Sequence, residues 1–477
     1  MASDTDSEFD LSLEDEQLLA SLAENTAPKP ADASAFPHDA PSSLHSSSQG
    51  RPPLVGIART SSVNAFVHKT QPQSTPSVIP ADDVKYPDLS DLTAGAWCEL
   101  QYEYTLTRLP GGKKTRTTAM KEGSKLHQKL EDEVYTTVQV EIATKEDAFG
   151  LKVWNIIQGL RTLRDTGLTR ELEVWGLVDG NVVNGLIDFL SYQNPSPEFE
   201  EEWLSSQGSQ AGAEEKSQHK ITNFFPWDQP EQSRPRHIRK VYLTDVKTRG
   251  SRSMPKGTAL RPTKVQLYLY HRFLSDMASD KVNFLQVFGR YGLDVHAPFS
   301  DAFLAQIGEL HDDVFHDSSS VLSSTTDPSQ DSDKHDLLKY RTLQELVPLL
   351  RDELRLTFPA GSDSLGSVVT VDYRLRGQEG EQIGTNIVAV DPQVLDQYLG
   401  DYMQWWRGER SATGVEIEEA YKCSFCEFAE ICSWREEIDK ENLRRAQEKT
   451  CAQRMGEVGA GGRRKPGPKA LNEEAQG

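Results

Sequence analysis

Asp188 and Asp245 lie in two short apolar runs, GLIDFL from Gly185 to Leu190 and VYLTDVKTR from Val241 to Arg249, and each run reads as a buried strand. A carboxylate flanked by Leu, Ile, Val and Phe needs a cation or a metal, because leaving it buried and unpaired shifts its pKa or costs several kcal/mol. Lys247 follows Asp245 by two residues, so both side chains leave the strand on one face. Two acids and a lysine that converge in this way can hold Mg²⁺ or Mn²⁺ through hard oxygen ligands and set a water beside a phosphodiester. The same residues also suit a purely structural arrangement, an Asp245–Lys247 ion pair with Asp188 capping a turn, and a D-x-K spacing alone does not separate the two.

A second group carries metal chemistry. Three of the five cysteines stand in YKCSFCEFAEICSWRE as C-x₂-C-x₅-C: Cys423, Cys426 and Cys432. This spacing lets three thiolates meet on one metal or cluster, with the fourth ligand supplied from elsewhere. Cys98 is the natural fourth, and Cys451, in a polar tail, is the spare. Zinc and a [4Fe-4S] cluster both accept four thiolates, so spacing leaves that choice open.

The elements that must position these groups follow from composition and periodicity. Residues 1–85, rich in Ser, Pro, Ala and acids, are expected to be disordered. Within them FDLSLEDEQLLASLAEN reads as an acidic amphipathic helix that could dock on a partner such as a single-strand-binding protein. An ordered α/β body is expected over 86–450. It contains a helix bearing Cys98 and a helix within MKEGSKLHQKLEDEVYTTV, with His127 on its apolar side as core residue or ligand. A third helix is expected from Asp147 to Leu163, followed by a hairpin of RELEVWGLV and VVNGLIDFLSYQ joined by a DGN turn. The acidic, polar stretches 194–237 and 316–336 read as flexible inserts. Helices are expected over Arg261–Ser275, Phe303–Phe315, Thr342–Leu356 and Val394–Trp406, with strands at Ser367–Leu375 and Gln382–Val390. Residues 451–477 read as a basic Gly-rich tail.

Taken as a total, the net charge of −21 argues against a nucleic-acid enzyme, but its distribution removes the objection. Residues 1–50, 198–216 and 301–336 together carry −22, so the rest is near neutral, with basic clusters at Lys113–Arg116, Lys247–Arg261 and Arg463–Lys469 that suit phosphates. No apolar run approaches membrane-spanning length and the N-terminus is acidic, so neither a membrane span nor a targeting leader is expected.

In order along the chain, Cys98, GSKLHQKLE, RELEVWG, GLIDFL, TDVKTR, Gln266-x₃-Tyr270 and C-x₂-C-x₅-C resemble the exonuclease V family, RecB-like nucleases of the PD-(D/E)xK class. The resemblance spans about Tyr86 to Glu448. It implies a central mixed sheet flanked by helices, with an iron-sulfur cluster on Cys98, Cys423, Cys426 and Cys432 joining the N- and C-terminal parts. It also implies His127, Asp188, Asp245 and the Val246 carbonyl as ligands of Mg²⁺ or Mn²⁺, and Lys247 on the attacking water. Gln266 and Tyr270 would position the cut strand, and Glu171 would support the site. The implied activity is hydrolysis of single-stranded DNA from an end to short oligonucleotides in DNA repair or replication.

Within the first insert, Gln218-His219-Lys220-Ile221-Thr222-Asn223-Phe224-Phe225 looks like a PIP box, the peptide that docks on the sliding clamp PCNA. One 3₁₀ turn would gather Ile221, Phe224 and Phe225 into an apolar plug and leave Gln218 for a polar pocket. Clamp tethering and the GRRKPGPK tail lead to an expectation of a nuclear location, with the mitochondrion also open, and of a monomer. The competing expectation is a non-catalytic DNA-binding or clamp-adaptor protein with a structural zinc site.

Overall fold

In a computed structural model, residues 55–60, 87–211, 239–308, 340–377 and 380–460 are described. They form two compact units: the described residues up to 97 with those of 113–411, and 98–112 with 412–460.

The first unit is built on a five-stranded mixed sheet flanked by helices, as the α/β reading requires. Its strands are β3 (Leu168–Val178), β4 (Asn181–Ser191), β5 (Tyr242–Arg249), β6 (Val368–Leu375) and β7 (Gln382–Ala389), in spatial order of number. All neighbours are antiparallel except β5 and β6, which run parallel. The DGN turn closes the β3–β4 hairpin as expected, with Asp179 and Gly180 both at positive φ, the conformation a two-residue hairpin loop of matching twist demands.

The helices in chain order are α1 (Leu89–Arg108), α2 (Thr118–Asp132), α3 (Lys145–Thr166), α4 (Pro197–Ala211), α5 (Arg261–Ala278), α6 (Phe284–Arg290), α7 (301–308), α8 (Leu343–Thr357) and α9 (Pro392–Trp406). Helix α3 opens with a Thr144/Asp147 capping box and closes on Gly167 in the left-handed conformation, so its backbone ends are satisfied by sequence-local groups. Its Val153, Ile157 and Leu160, at helical spacing, are fully buried, and the helix packs on β3 and α8. Each such side chain contributes roughly 1.5–3 kcal/mol of burial free energy. Helix α5 lies on β3 with Leu267, Leu269, Phe273 and Leu274 fully buried.

Several boundaries differ from the sequence reading. Val55–Thr60, inside the stretch expected to be disordered, forms β1, which pairs in parallel with β2 (Thr136–Val140). That pairing also takes YTTV out of the expected second helix, which ends at Asp132: β-branched residues favour the ladder over another helical turn. The first insert begins as helix α4, because the buried Glu200 of α4 accepts hydrogen bonds from the Tyr242 hydroxyl (2.8 Å), the Asn194 amide (2.7 Å) and the Ser367 N–H (2.7 Å). Such tertiary anchoring is invisible to a composition argument. Helix α6 was not foreseen. Residues 212–238, the PIP-box-like segment among them, lie outside the described residues, as do 316–336, the N-terminal amphipathic stretch and the GRRKPGPK tail.

The second unit joins the end of α1 to α10 (Ser433–Ala460), which runs into the stretch read as tail. Helix α1 is broken at Cys98, whose φ of −168° and ψ of 114° are extended. Leu100, Tyr104, Phe428 and Cys432 form the unit's core, with Cys98, Cys426 and Trp434 packed against it. The Tyr104 hydroxyl reaches the Ser433 hydroxyl, 329 residues later, at 3.3 Å. Among the described residues, no helix is long and apolar enough to cross a membrane.

Candidate active site

Register brings the acids together. Because Arg170 pairs with Phe189 and Leu172 with Ile187, Glu171 and Asp188 face each other across β3 and β4. Phe189 pairs with Thr244, so one step further along Asp188 faces Asp245 of β5. Three carboxylates therefore occupy one row across three adjacent strands.

The ladders are disturbed at this row. Glu171 stands at φ +51°, on the left-handed side that costs a residue with a Cβ about 1–2 kcal/mol. The Val246 N–H donates to Asp188 Oδ2 at 2.6 Å. That bond fixes the Asp188 carboxylate with one oxygen toward β5 and the other toward α2.

Helix α2 supplies the imidazole. Thr117 caps its first turn and Leu130 anchors its apolar side, which sets His127 over the row. His127 Nδ1 stands 3.6 Å from both Glu171 Oε1 and Asp188 Oδ1. Those separations are too long for good hydrogen bonds and suit donors arranged around an ion. Among the described residues, His127, Glu171 and Asp188 are the one group of three or more His, Cys, Asp or Glu whose ligand atoms all lie within 4.8 Å of one another.

Asp245 is 2% exposed, and its Oδ2 has no hydrogen-bond partner, although Lys247 Nζ stands 3.4 Å away. A buried carboxylate oxygen left without a hydrogen bond in a site of hard ligands is what a divalent cation would satisfy. The residues present thus fit Mg²⁺ or Mn²⁺. At Val246 the amide is the group seen toward the site, bonded to Asp188, and Asp245 lies outside the tight group that takes in Glu171 instead.

Gln266 and Tyr270, one turn apart on α5, are linked: Gln266 Nε2 donates to the Tyr270 hydroxyl at 2.9 Å. Burial lifts the Tyr270 phenol well above its ordinary value, and the charges of Asp245 and Asp188 add to the rise. Tyr270 is therefore a proton-bearing donor at neutral pH and does not act as a base. Gly185 makes room for it, since a Cβ there would meet the ring at 2.6 Å.

Tyr373 was not foreseen. It faces Lys247 in the parallel β5–β6 register, and burial pushes its phenol up to about 12, with the Asp245 carboxylate adding to the rise. A parallel pairing joins residues more than a hundred positions apart, so no local pattern in VVTVDYRL points to it.

In the second unit, Cys98 Sγ accepts the Gln101 N–H at 3.4 Å. Burial raises its thiol to about 11, and the sulfurs of Cys426, Cys423 and Cys432 push the same way. A thiol held protonated by burial and by neighbouring sulfurs becomes a thiolate when a cation sits beside it.

The comparisons agree with the geometry. A family model described as Exonuclease V, a 5′ deoxyribonuclease, matches residues 83–435. The chain is 25% identical over 397 residues to Exonuclease V of Danio rerio, covering 83% of this chain and 81% of that protein. It is 24% identical over 453 residues to "Exonuclease V, mitochondrial" of Candida dubliniensis, covering 72% and 71%. The protein of the same name from Eremothecium gossypii is 24% identical over 409 residues, covering 72% and 75%. With its acidic row, the imidazole above it and a family match over most of its length, this chain belongs to the exonuclease V family.

Proposed function

We propose that the chain is a divalent-metal-dependent exonuclease that hydrolyses single-stranded DNA from an end and releases short oligonucleotides. The observation that carries this is the row Glu171, Asp188, Asp245 beneath His127, with Lys247 beside Asp245. Asp188 and Asp245-x-Lys247 on adjacent strands of a mixed sheet also support a PD-(D/E)xK core. A bound divalent cation supplies charge neutralisation at the phosphate and lowers the pKa of water. Lys247, restrained by Asp245, orients that water or steadies the phosphate. Tyr270, whose hydroxyl accepts from Gln266, keeps its own proton to donate to a phosphate oxygen. The family description points to the 5′ end as the start.

The test is release of label from single-stranded DNA with Mg²⁺. Asp188→Asn and Asp245→Asn should each lower it about 10²–10⁴-fold with strand binding retained, and Lys247→Ala should do the same. Undiminished release by both aspartate variants would remove the proposed site.

The second unit is read as the seat of a [4Fe-4S] cluster on Cys98, Cys423, Cys426 and Cys432. The shared packing of Cys98, Cys426 and Cys432, and the influence of neighbouring sulfurs on Cys98 and Cys423, support it. No three of the described cysteines meet the 4.8 Å mutual spacing of the acidic site, so the choice of a [4Fe-4S] cluster over zinc rests on the family resemblance.

Recruitment by PCNA through Gln218, Ile221, Phe224 and Phe225 rests on the sequence alone. A peptide of residues 216–228 should bind the clamp in calorimetric titration, and equal affinity after changing Phe224 and Phe225 to Ala would return the segment to ordinary linker. A mitochondrial location is supported by the names of the fungal relatives; a nuclear one rests on the basic tail. The chain is taken to act as a monomer.

A further inference from the structure

We propose that Arg170 holds a backbone phosphate of the single strand beside the linkage that is cut. This rests on the nuclease reading above and adds to it a residue with no part in metal binding, since a guanidinium offers donors only.

Arg170 stands one residue before Glu171 on β3 and pairs with Phe189, one residue after Asp188 on β4. Its guanidinium lies over the Phe189 ring, 4.9 Å from the centroid, which restrains the planar fork at the β3 end of the acidic row. Among the described residues its Nε is buried without a hydrogen bond, and the guanidinium forms no ion pair. Nearby charges do not replace that partner. Burial is the largest influence on the group and acts against its charge; Glu133, Asp188 and Glu171 favour the charge only through space, and Arg374 opposes it. Arg374 is itself engaged, with Asp372 at 2.9 Å and the Gly380 carbonyl at 3.3 Å. A permanently charged group held there without an acceptor costs free energy that an apolar side chain would not. The anion that offsets this cost has to come from outside the described fold.

Position fixes the class of that anion. Lys247 stands beside Asp245 on β5 and Arg170 beside Glu171 on β3, so one cation flanks each end of the three carboxylates. A strand that lays the linkage to be cut over the row brings a neighbouring phosphate to one of those ends. The fork of Arg170 matches two phosphate oxygens at once, which a lysine in its place would not. Phe189 beneath it keeps the fork in plane for that match.

The proposal is tested on the full-length protein by fluorescence anisotropy of labelled single-stranded DNA over a salt series, with chelator present so that nothing is cut. Arg170→Met should bind about tenfold more weakly and flatten the plot of log K against log salt by about 0.7, the share of one phosphate on a single strand. Arg170→Lys should keep the wild-type slope and lose part of the affinity. Strands in which one linkage at a time is a neutral methylphosphonate locate the contact. Wild-type binding should weaken when the linkage next to the cut one, identified from the products made with Mg²⁺, is neutral; Arg170→Met should be indifferent to that change. The melting temperature of Arg170→Met should equal or exceed that of the wild type, since Met also packs on an aromatic ring and no ion pair is lost. A lowered melting temperature with an unchanged salt slope makes Arg170 a structural residue and overturns the proposal, as does a Met variant that still responds to the neutral linkage. A protein that binds no single strand sinks the nuclease reading and this proposal with it. One that binds and cuts while Arg170→Met keeps the wild-type slope overturns this proposal alone.

Discussion

Tyr270 illustrates how burial decides a residue's chemical role. Its phenol is held protonated by desolvation and by two nearby carboxylates, and its oxygen already accepts from Gln266, so the remaining capacity is one O–H to give. Tyr270→Phe should therefore lower kcat about 10- to 100-fold, the worth of a hydrogen bond to a charged group. The alkaline limb of the pH–rate profile should stay where it was, since no phenol ionisation is lost; a displaced limb in steady-state assays across pH would refute the donor role. Asp188, Asp245 and Lys247 were legible in the sequence because a charge inside an apolar run announces itself. Glu171 was legible as an acid near the site but not as a member of the tight group with His127 and Asp188, since a positive φ within a strand leaves no trace in residue type.

Helix α5 and the β3–β4 hairpin must approach closely for Tyr270 to reach the acids, and Gly185 permits that approach. Gly185→Ala should destabilise the fold by about 1–3 kcal/mol through overpacking and should cut turnover by displacing the Tyr270 ring. Thermal unfolding and steady-state assays read the two effects, and an unchanged melting temperature with full activity would show that the contact relaxes without cost. The hairpin was readable because a DGN turn between apolar runs has one economical solution. Helix α4 was not, since the anchor that makes the insert helical there is Glu200 meeting Tyr242 and Ser367, groups distant in sequence.

Across the whole molecule, Cys98, Cys423, Cys426 and Cys432 all fall in the second compact unit, which draws on stretches more than three hundred residues apart. Cys98→Ser should lose iron in anaerobically isolated protein and lower the melting temperature, while Cys451→Ser should do neither. Stoichiometric zinc without iron would overturn the cluster. The metal-free form should also weaken in alkali. The buried Cys98 thiol stays protonated in the fold up to about 11, whereas in the unfolded chain it ionises from 9.0, so its contribution is intact below pH 9 and is lost as pH rises toward 11. Denaturant melts of the chelated protein from pH 8 to 11 would reveal that slope.

The 329-residue interval between Tyr104 and Ser433 also imposes an order of events during synthesis. At about 5–20 residues per second, the ribosome needs roughly 15–70 seconds between the first and last of the four cysteines. Over that time Cys98 waits on a growing chain, and every strand of the central sheet, the last ending at Ala389, is made before Cys423. A transcript ending before codon 423 would thus yield a chain whose sheet segments are complete and whose first cysteine never meets its partners.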